Sequence, residues 1–185
     1  MLRLPFLWVF TSSQSRLAAF YTRLACLLPF LYTRMSNARL CERARRQRGR
    51  FGAEMIERST SARKIVGLLR AGKPVMLAGD MDHGIDNSVF VPFFGVPACT
   101  LTSVSRLARL GHARVVPFVT QTLPNYRGYK LTVFEPFDDF PSENDAVDAR
   151  RMNTVLGEQI LNRPERSYWV HRRFKHRPPE SAPVC

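Results

Sequence analysis

The side chains able to do chemistry gather in two runs, Asp80 to Ser88 (DMDHGIDNS) and Tyr168 to Lys175 (YWVHRRFK). Asp80 and Asp82 flank Met81, and two carboxylates two apart on extended chain can share a divalent cation. A binuclear cage needs more imidazoles than His83, His112, His171 and His176 supply, so the reading is that no metal is held. His83 beside the acids suggests other chemistry, because an imidazole with a carboxylate neighbour is the outline of an oriented general base. In the second run, Tyr168, Trp169 and Phe174 turned inward would leave Arg172, Arg173 and Lys175 outward as an anion-binding ledge. Solvated surface cations are the plainer alternative. Nucleic acid could also use such a ledge, but zinc-finger spacing, helix-turn-helix phrasing and an RNP aromatic motif are missing, so no nucleic acid partner is expected.

The elements that must position these runs follow from periodicity. Ser61 is placed to cap a helix whose apolar positions Ile65, Val66, Leu68 and Leu69 recur at helical spacing, with Gly72 as its stop. Pro74 to Ala78 reads as a short strand covered on both faces, which puts the Asp80 to Ser88 loop directly after a strand, where α/β sheets carry their sites. Val89 to Val96 is apolar but broken by Pro92 and Gly95, so it reads as loop and edge. A helix from Thr102 or Ser103 to Gly111 precedes a strand over Ala113 to Thr120, then a turn at Asn125 to Gly128. A strand over Tyr129 to Phe134 and a helix from about Ala146 to Leu161 complete the pattern. That order predicts an α/β fold with a mixed sheet flanked by helices.

The 185 residues suffice for one domain with a real core, and 45% hydrophobic with 23% charged residues is ordinary globular usage. Lys and Arg number 28 against 15 Asp and Glu, a net +13 that points to anionic partners. Only Lys64, Lys73, Lys130 and Lys175 are lysines, so the basic side chains are mostly the planar forks that suit phosphate. The charge is uneven: Asn37 to Arg50 holds six arginines and one acid, whereas Glu135 to Asp148 holds six acids and no base. Four scattered cysteines, Cys26, Cys41, Cys99 and Cys185, suggest a reducing compartment and buried apolar roles. The apolar runs in residues 1–30 are too short and interrupted for a spanning helix; an interfacial helix and a buried core helix fit equally well.

A set of segments taken together carries a resemblance. These are Tyr32 to Asn37 (YTRMSN), Asp80-Met81-Asp82, Ser88 to Gly95 (SVFVPFFG), Val116-Pro117-Phe118, Arg151-Met152-Asn153, and Tyr168 to Lys175 followed by Arg177-Pro178-Pro179. In this order and spacing, over about residues 31 to 180, they resemble the late acyltransferases of lipid A biosynthesis. The resemblance implies a glycerolipid-acyltransferase-like fold at the cytoplasmic face of the bacterial inner membrane. It implies transfer of a fatty acyl chain, usually lauroyl or myristoyl, from acyl carrier protein to a hydroxyl of a Kdo-bearing lipid A precursor. No cofactor is implied beyond the acyl-acyl carrier protein co-substrate. Partners are then a phosphorylated glycolipid acceptor, acyl carrier protein and an anionic membrane surface, with Arg34, Asp80, Asp82, Arg172 and Arg173 as substrate-binding candidates.

The family's catalytic signature, a histidine and an Asp or Glu separated by four residues and upstream of the Leu31-Tyr32 segment, does not occur. No histidine precedes His83, and at the required offset His83, His112, His171 and His176 reach Ser88, Pro117, His176 and Ser181. Residues 1–30 also lack the strand and glycine-rich phrasing that would carry the signature. The expectation is therefore an incomplete, inactive member: a divergent segment over 1–30, an acyltransferase-like domain over 31–180 and a tail over 181–185. His83 is the weak candidate for a substitute base. A noncatalytic anionic-lipid or membrane-surface binder is the alternative.

Overall fold

The computed structural model describes residues 6–8, 30–32, 36–49, 54–57, 62–73, 75–77, 81–123, 125, 127–162, 164, 172–179 and 181. Its central sheet is parallel throughout, with the strands in the spatial order Met55–Glu57, Phe30–Tyr32, Val75–Met76, Phe6–Trp8 and Arg114–Val115. The strands are β1 (Phe6–Trp8), β2 (Phe30–Tyr32), β3 (Met55–Glu57), β4 (Val75–Met76) and β7 (Arg114–Val115). Helix α1 (Ala38–Gly49) lies between β2 and β3 in the chain, α2 (Ala62–Arg70) between β3 and β4, and α3 (Ser103–Gly111) just before β7. Two antiparallel pairs stand apart from this sheet: β5 (Ser88–Phe93) with β6 (Val96–Leu101), and β8 (Phe118–Thr122) with β9 (Tyr129–Val133). Helix α4 (Asp145–Asn162) packs across β5. The α/β class holds, while the parallel and antiparallel pairings occupy separate sheets instead of one mixed sheet.

Three further differences from the sequence reading have local causes. Phe6–Trp8 is a strand held between β4 and β7, so residues 1–30 are not without one. Val89 to Val96 is an edge, as read, but not loop: it supplies one strand and the turn of a two-stranded hairpin. Its turn is Phe94-Gly95, with φ of 50° and 78°, the two positive values that a tight two-residue hairpin demands. The prolines are tolerated because Pro92 lies opposite Pro97 and their carbonyls point away from the partner strand, to Asn153 and Arg177. That makes them a non-hydrogen-bonded pair, and neither removes a ladder bond. The strand expected over Ala113 to Thr120 divides at Val116-Pro117 into β7, which joins the parallel sheet, and β8, which pairs with β9. The interfacial-helix expectation falls mostly on residues outside those described.

The α2 stop matches its sequence signal, whereas Ser61, the expected cap, lies outside the described residues. In α2 the Gly72 N–H bonds the Leu69 carbonyl and the Lys73 N–H bonds that of Leu68, the paired closure of a helix terminus. Asn144 caps α4, its Oδ1 accepting from the Ala146 N–H at 2.9 Å and the Val147 N–H at 3.3 Å. The core lies where α2, α3, α4, the sheet and the hairpin meet, through Leu69, Val75, Phe93, Ala98, Val104, Val115, Met152 and Leu156.

Helices α2 and α3 approach so closely at Gly111 that a Cβ there would lie 2.7 Å from both Cβ and Cδ1 of Leu69, which is itself fully buried. Gly111→Ala is therefore expected to cost about 1–3 kcal/mol, read as a lower urea midpoint with an unchanged slope. A midpoint equal to wild type would contradict this packing.

Candidate functional site

The loop after β4 and the tail at 172–179 meet along the outer edge of β6. Loop positions are fixed first. The Ser88 hydroxyl donates to the Gly84 carbonyl at 2.8 Å, and the Cys99 thiol donates to the same carbonyl at 3.1 Å. Both the backbone N–H and the hydroxyl of Thr102 donate to the Asn87 carbonyl, at 3.0 and 2.9 Å. Arg106 reaches the Asn87 side chain at 2.9 Å. The loop is thus sewn to β6 and α3 at three points.

Within it, Asp82 has no exposed side-chain surface, and His176, 94 residues away, lies against it. The Nδ1 of His176 is 2.7 Å from Oδ1, the His176 backbone N–H donates to Oδ2 at 2.9 Å, and the Gly84 N–H donates to Oδ1 at 3.0 Å. Burial acts to raise the Asp82 pKa, yet the bonds from the His176 and Gly84 N–H groups and the His176 ring outweigh it and hold the carboxyl below the ordinary carboxylate range. An ionised carboxylate can only accept, so the Nδ1 of His176 carries the proton of this bond. The His176 side chain is 33% exposed. The result is an imidazole oriented by a carboxylate, the chemistry of a base and its orienter.

Arg173 closes the same junction. Its guanidinium donates to the Cys99 carbonyl at 2.5 Å, the Thr100 hydroxyl at 2.8 Å and Asn153 Oδ1 at 3.1 Å, and lies 5.3 Å from the Phe93 ring centroid. Asn153 in turn donates to Thr100 Oγ1 and the Pro92 carbonyl. Arg177 donates to the Pro97 carbonyl at 2.7 Å. The outward carbonyls of β6 at 97 and 99 are therefore both covered by guanidinium groups from the tail.

The sequence candidates divide accordingly. Asp82 and the Arg172-Arg173 tail are brought together. Arg172 and Lys175 are exposed and Phe174 packs on Phe93 at 6.1 Å between ring centroids, as the ledge requires, but Arg173 turns inward and holds protein groups. A fork that reaches two strand residues and a helix has no reason to face solvent. His83 sits part-buried on the loop. Arg34 and Asp80 lie outside the described residues, as do Tyr168 and Trp169. Among the described residues no cluster of three or more His, Cys, Asp or Glu could hold a metal, and no helix is long and apolar enough to cross a membrane. The buried Cys99 thiol is pushed up in pKa by desolvation, which disfavours thiolate chemistry. His176 escaped the sequence reading because its orienting acid is remote in the chain; the one available signal was its membership of the cationic tail.

A family model described as bacterial lipid A biosynthesis acyltransferase matches residues 16–176. The chain belongs to the lipid A biosynthesis acyltransferase family. It is 38% identical over 130 residues to the Escherichia coli (strain K12) lipid A biosynthesis lauroyltransferase, covering 70% of this chain and 42% of that protein. Similarity to the palmitoleoyltransferase of the same organism is 35% over 134 residues, 72% of this chain and 43% of the relative. For its myristoyltransferase the identity is 35% over 136 residues, 71% and 41% of the two chains. The chain thus spans about two fifths of the length of these lipid A acyltransferases.

Two measurements test the junction. Arg173→Lys replaces a fork by a single ammonium, which cannot reach Cys99, Thr100 and Asn153 together, and should lower stability by about 2–3 kcal/mol; equal urea midpoints would refute the clamp. Because the Asp82 pKa is depressed on folding, its contribution is complete well above the ordinary carboxylate range and is lost as pH falls through that range into the lower folded pKa. Asp82→Asn should therefore lower the midpoint at neutral pH and shrink the difference from wild type below about pH 4.

Proposed function

We propose that this chain recognises the phosphorylated glycolipid acceptor of lipid A acylation, a Kdo-bearing precursor, at the cytoplasmic face of the bacterial inner membrane, with acyl carrier protein bearing the fatty acyl donor. The observation that carries the reading is the apposition of the Asp82 loop and the Arg172 to Arg177 tail, two segments of the family pattern that are distant in sequence and joined at 2.7 Å through His176. Exposed Arg172 and Lys175 at this junction suit phosphate and acidic sugars, and Arg34 and Asp80 are the further candidates from the sequence. Acyl carrier protein, being acidic, suits the remaining basic surface of a chain with net charge +13.

Recognition here goes without efficient transfer. A positioned base contributes roughly 10²–10⁴ in rate, and these residues contain no histidine before His83 to supply the family's signature. The oriented imidazole of His176 lies at the wrong end of the pattern, and its ring serves to hold the loop.

The test combines binding and turnover. The purified chain should bind the Kdo-bearing precursor in preference to a neutral detergent at low ionic strength, and Arg172→Gln should weaken that preference severalfold. Acyl transfer from acyl carrier protein should be at background for wild type, His83→Ala and His176→Ala alike. A lack of glycolipid preference would overturn the recognition, and turnover comparable to the E. coli lauroyltransferase would overturn the inactivity.

A further inference from the structure

Helix α1 has no part in the junction between loop and tail, yet it carries the densest charge among the described elements. Within Ala38–Gly49 stand Arg39, Arg43, Arg45, Arg46 and Arg48 against the single acid Glu42. The helix start is closed, since Asn37 Oδ1 accepts the Arg39 and Leu40 N–H groups at 3.0 and 3.1 Å. Glu42 is gripped by Arg45 at 2.7 and 2.9 Å and by Arg46 at 2.7 Å, and those bonds hold its pKa at about 2, so it stays ionised. Among the described residues no carboxylate pairs with Arg39 or Arg43. Cys41, Glu42 and Ala44 are half-buried, whereas Arg39, Arg43, Arg46 and Gln47 are exposed.

Positions 39, 43 and 46 recur at helical spacing, so the three guanidinium groups form one stripe rising about 10 Å along the axis. They line a surface trough of about 450 Å³ with Ala38, Glu42 and Gln47. Leu40, 57% exposed, is the one large apolar side chain on the helix's outer side. Protein interfaces centre on clustered apolar or aromatic anchors, and among the described residues this face shows none. A layer of phosphodiesters asks for no such anchor; it needs fixed positive charge in a row, and guanidinium forks meet phosphate oxygens in pairs.

We infer that the arginine stripe of α1 is a docking surface for an anionic phospholipid bilayer, with Arg39, Arg43 and Arg46 gripping headgroup phosphates. The helix lies on the headgroups and does not dip into the acyl region, since its outer side is polar apart from Leu40. This inference rests on the membrane setting of the proposed function, but it is read by vesicle binding and not by acyl transfer, so an inactive chain that binds still supports it.

The experiment measures co-sedimentation of the full chain with phosphatidylcholine vesicles and with mixed phosphatidylcholine and phosphatidylglycerol vesicles across a salt series. Any apolar contribution from other segments appears with both, and the anionic increment is the quantity read. Arg39→Gln, Arg43→Gln and Arg46→Gln together should reduce that increment by about 100-fold, each basic group near an anionic surface contributing roughly a factor of five. The matching triple lysine variant should retain it. A control triple of exposed arginines elsewhere, Arg114→Gln, Arg127→Gln and Arg150→Gln, removes the same charge and should change it less than about threefold. Equal losses in both glutamine triples would mean net charge alone and overturn the inference, as would no loss in the α1 triple. Binding to polyglutamate as tight as to the anionic vesicles would assign the face to an acidic protein and overturn it too.

Discussion

A buried guanidinium organises the part of this molecule where the family's segments converge. Removing a charged fork from water is costly unless its donors are met, and Arg173 meets the Cys99 carbonyl, the Thr100 hydroxyl and Asn153 together. That requirement fixes the tail against β6, β6 against α4, and by way of His176 the tail against the Asp82 loop. Each contact is ordinary in strength. Their convergence on one residue makes the hairpin, the long helix and the tail a single unit.

The uneven charge has a matching structural division of labour. Two acids of the stretch before and within α4 serve the fold itself: Asp145 bonds Arg106 and Arg109 from α3, and Asp148, fully buried, accepts the Ser142 N–H. Arg151 returns to the Asp138 and Asp139 carbonyls and stacks near Phe137 and Phe140. Asp145 and Asp148 therefore satisfy groups within the fold, whereas α1 sets five arginines against one acid.

Elements whose signals are local were legible in the sequence. The α2 stop at Gly72, the α3 helix from Ser103 to Gly111 and α4 follow from local end signals and apolar spacing. What was not legible depends on partners far along the chain. Pro92 argues against a strand until Pro97 is known to lie opposite it, and Phe94 at positive φ is an unfavoured choice that the tertiary contacts enforce. The same holds for the site. Spacing located the Asp82 loop and the arginine tail, but the pairing of Asp82 with His176, and the inward turn of Arg173, arise only when the hairpin brings those segments to one edge. No periodicity records that.

The covering of β6 has a temporal side. The Cys99 carbonyl is synthesised 74 residues before the guanidinium that shields it. At about 5–20 residues per second the newly made ribbon spends some 4–15 s with an open flank able to template a foreign strand. During that interval the growing polypeptide would depend on chaperones or on the crowding of its own earlier segments, so nascent-chain aggregation, more than native-state instability, is the hazard that this architecture builds in.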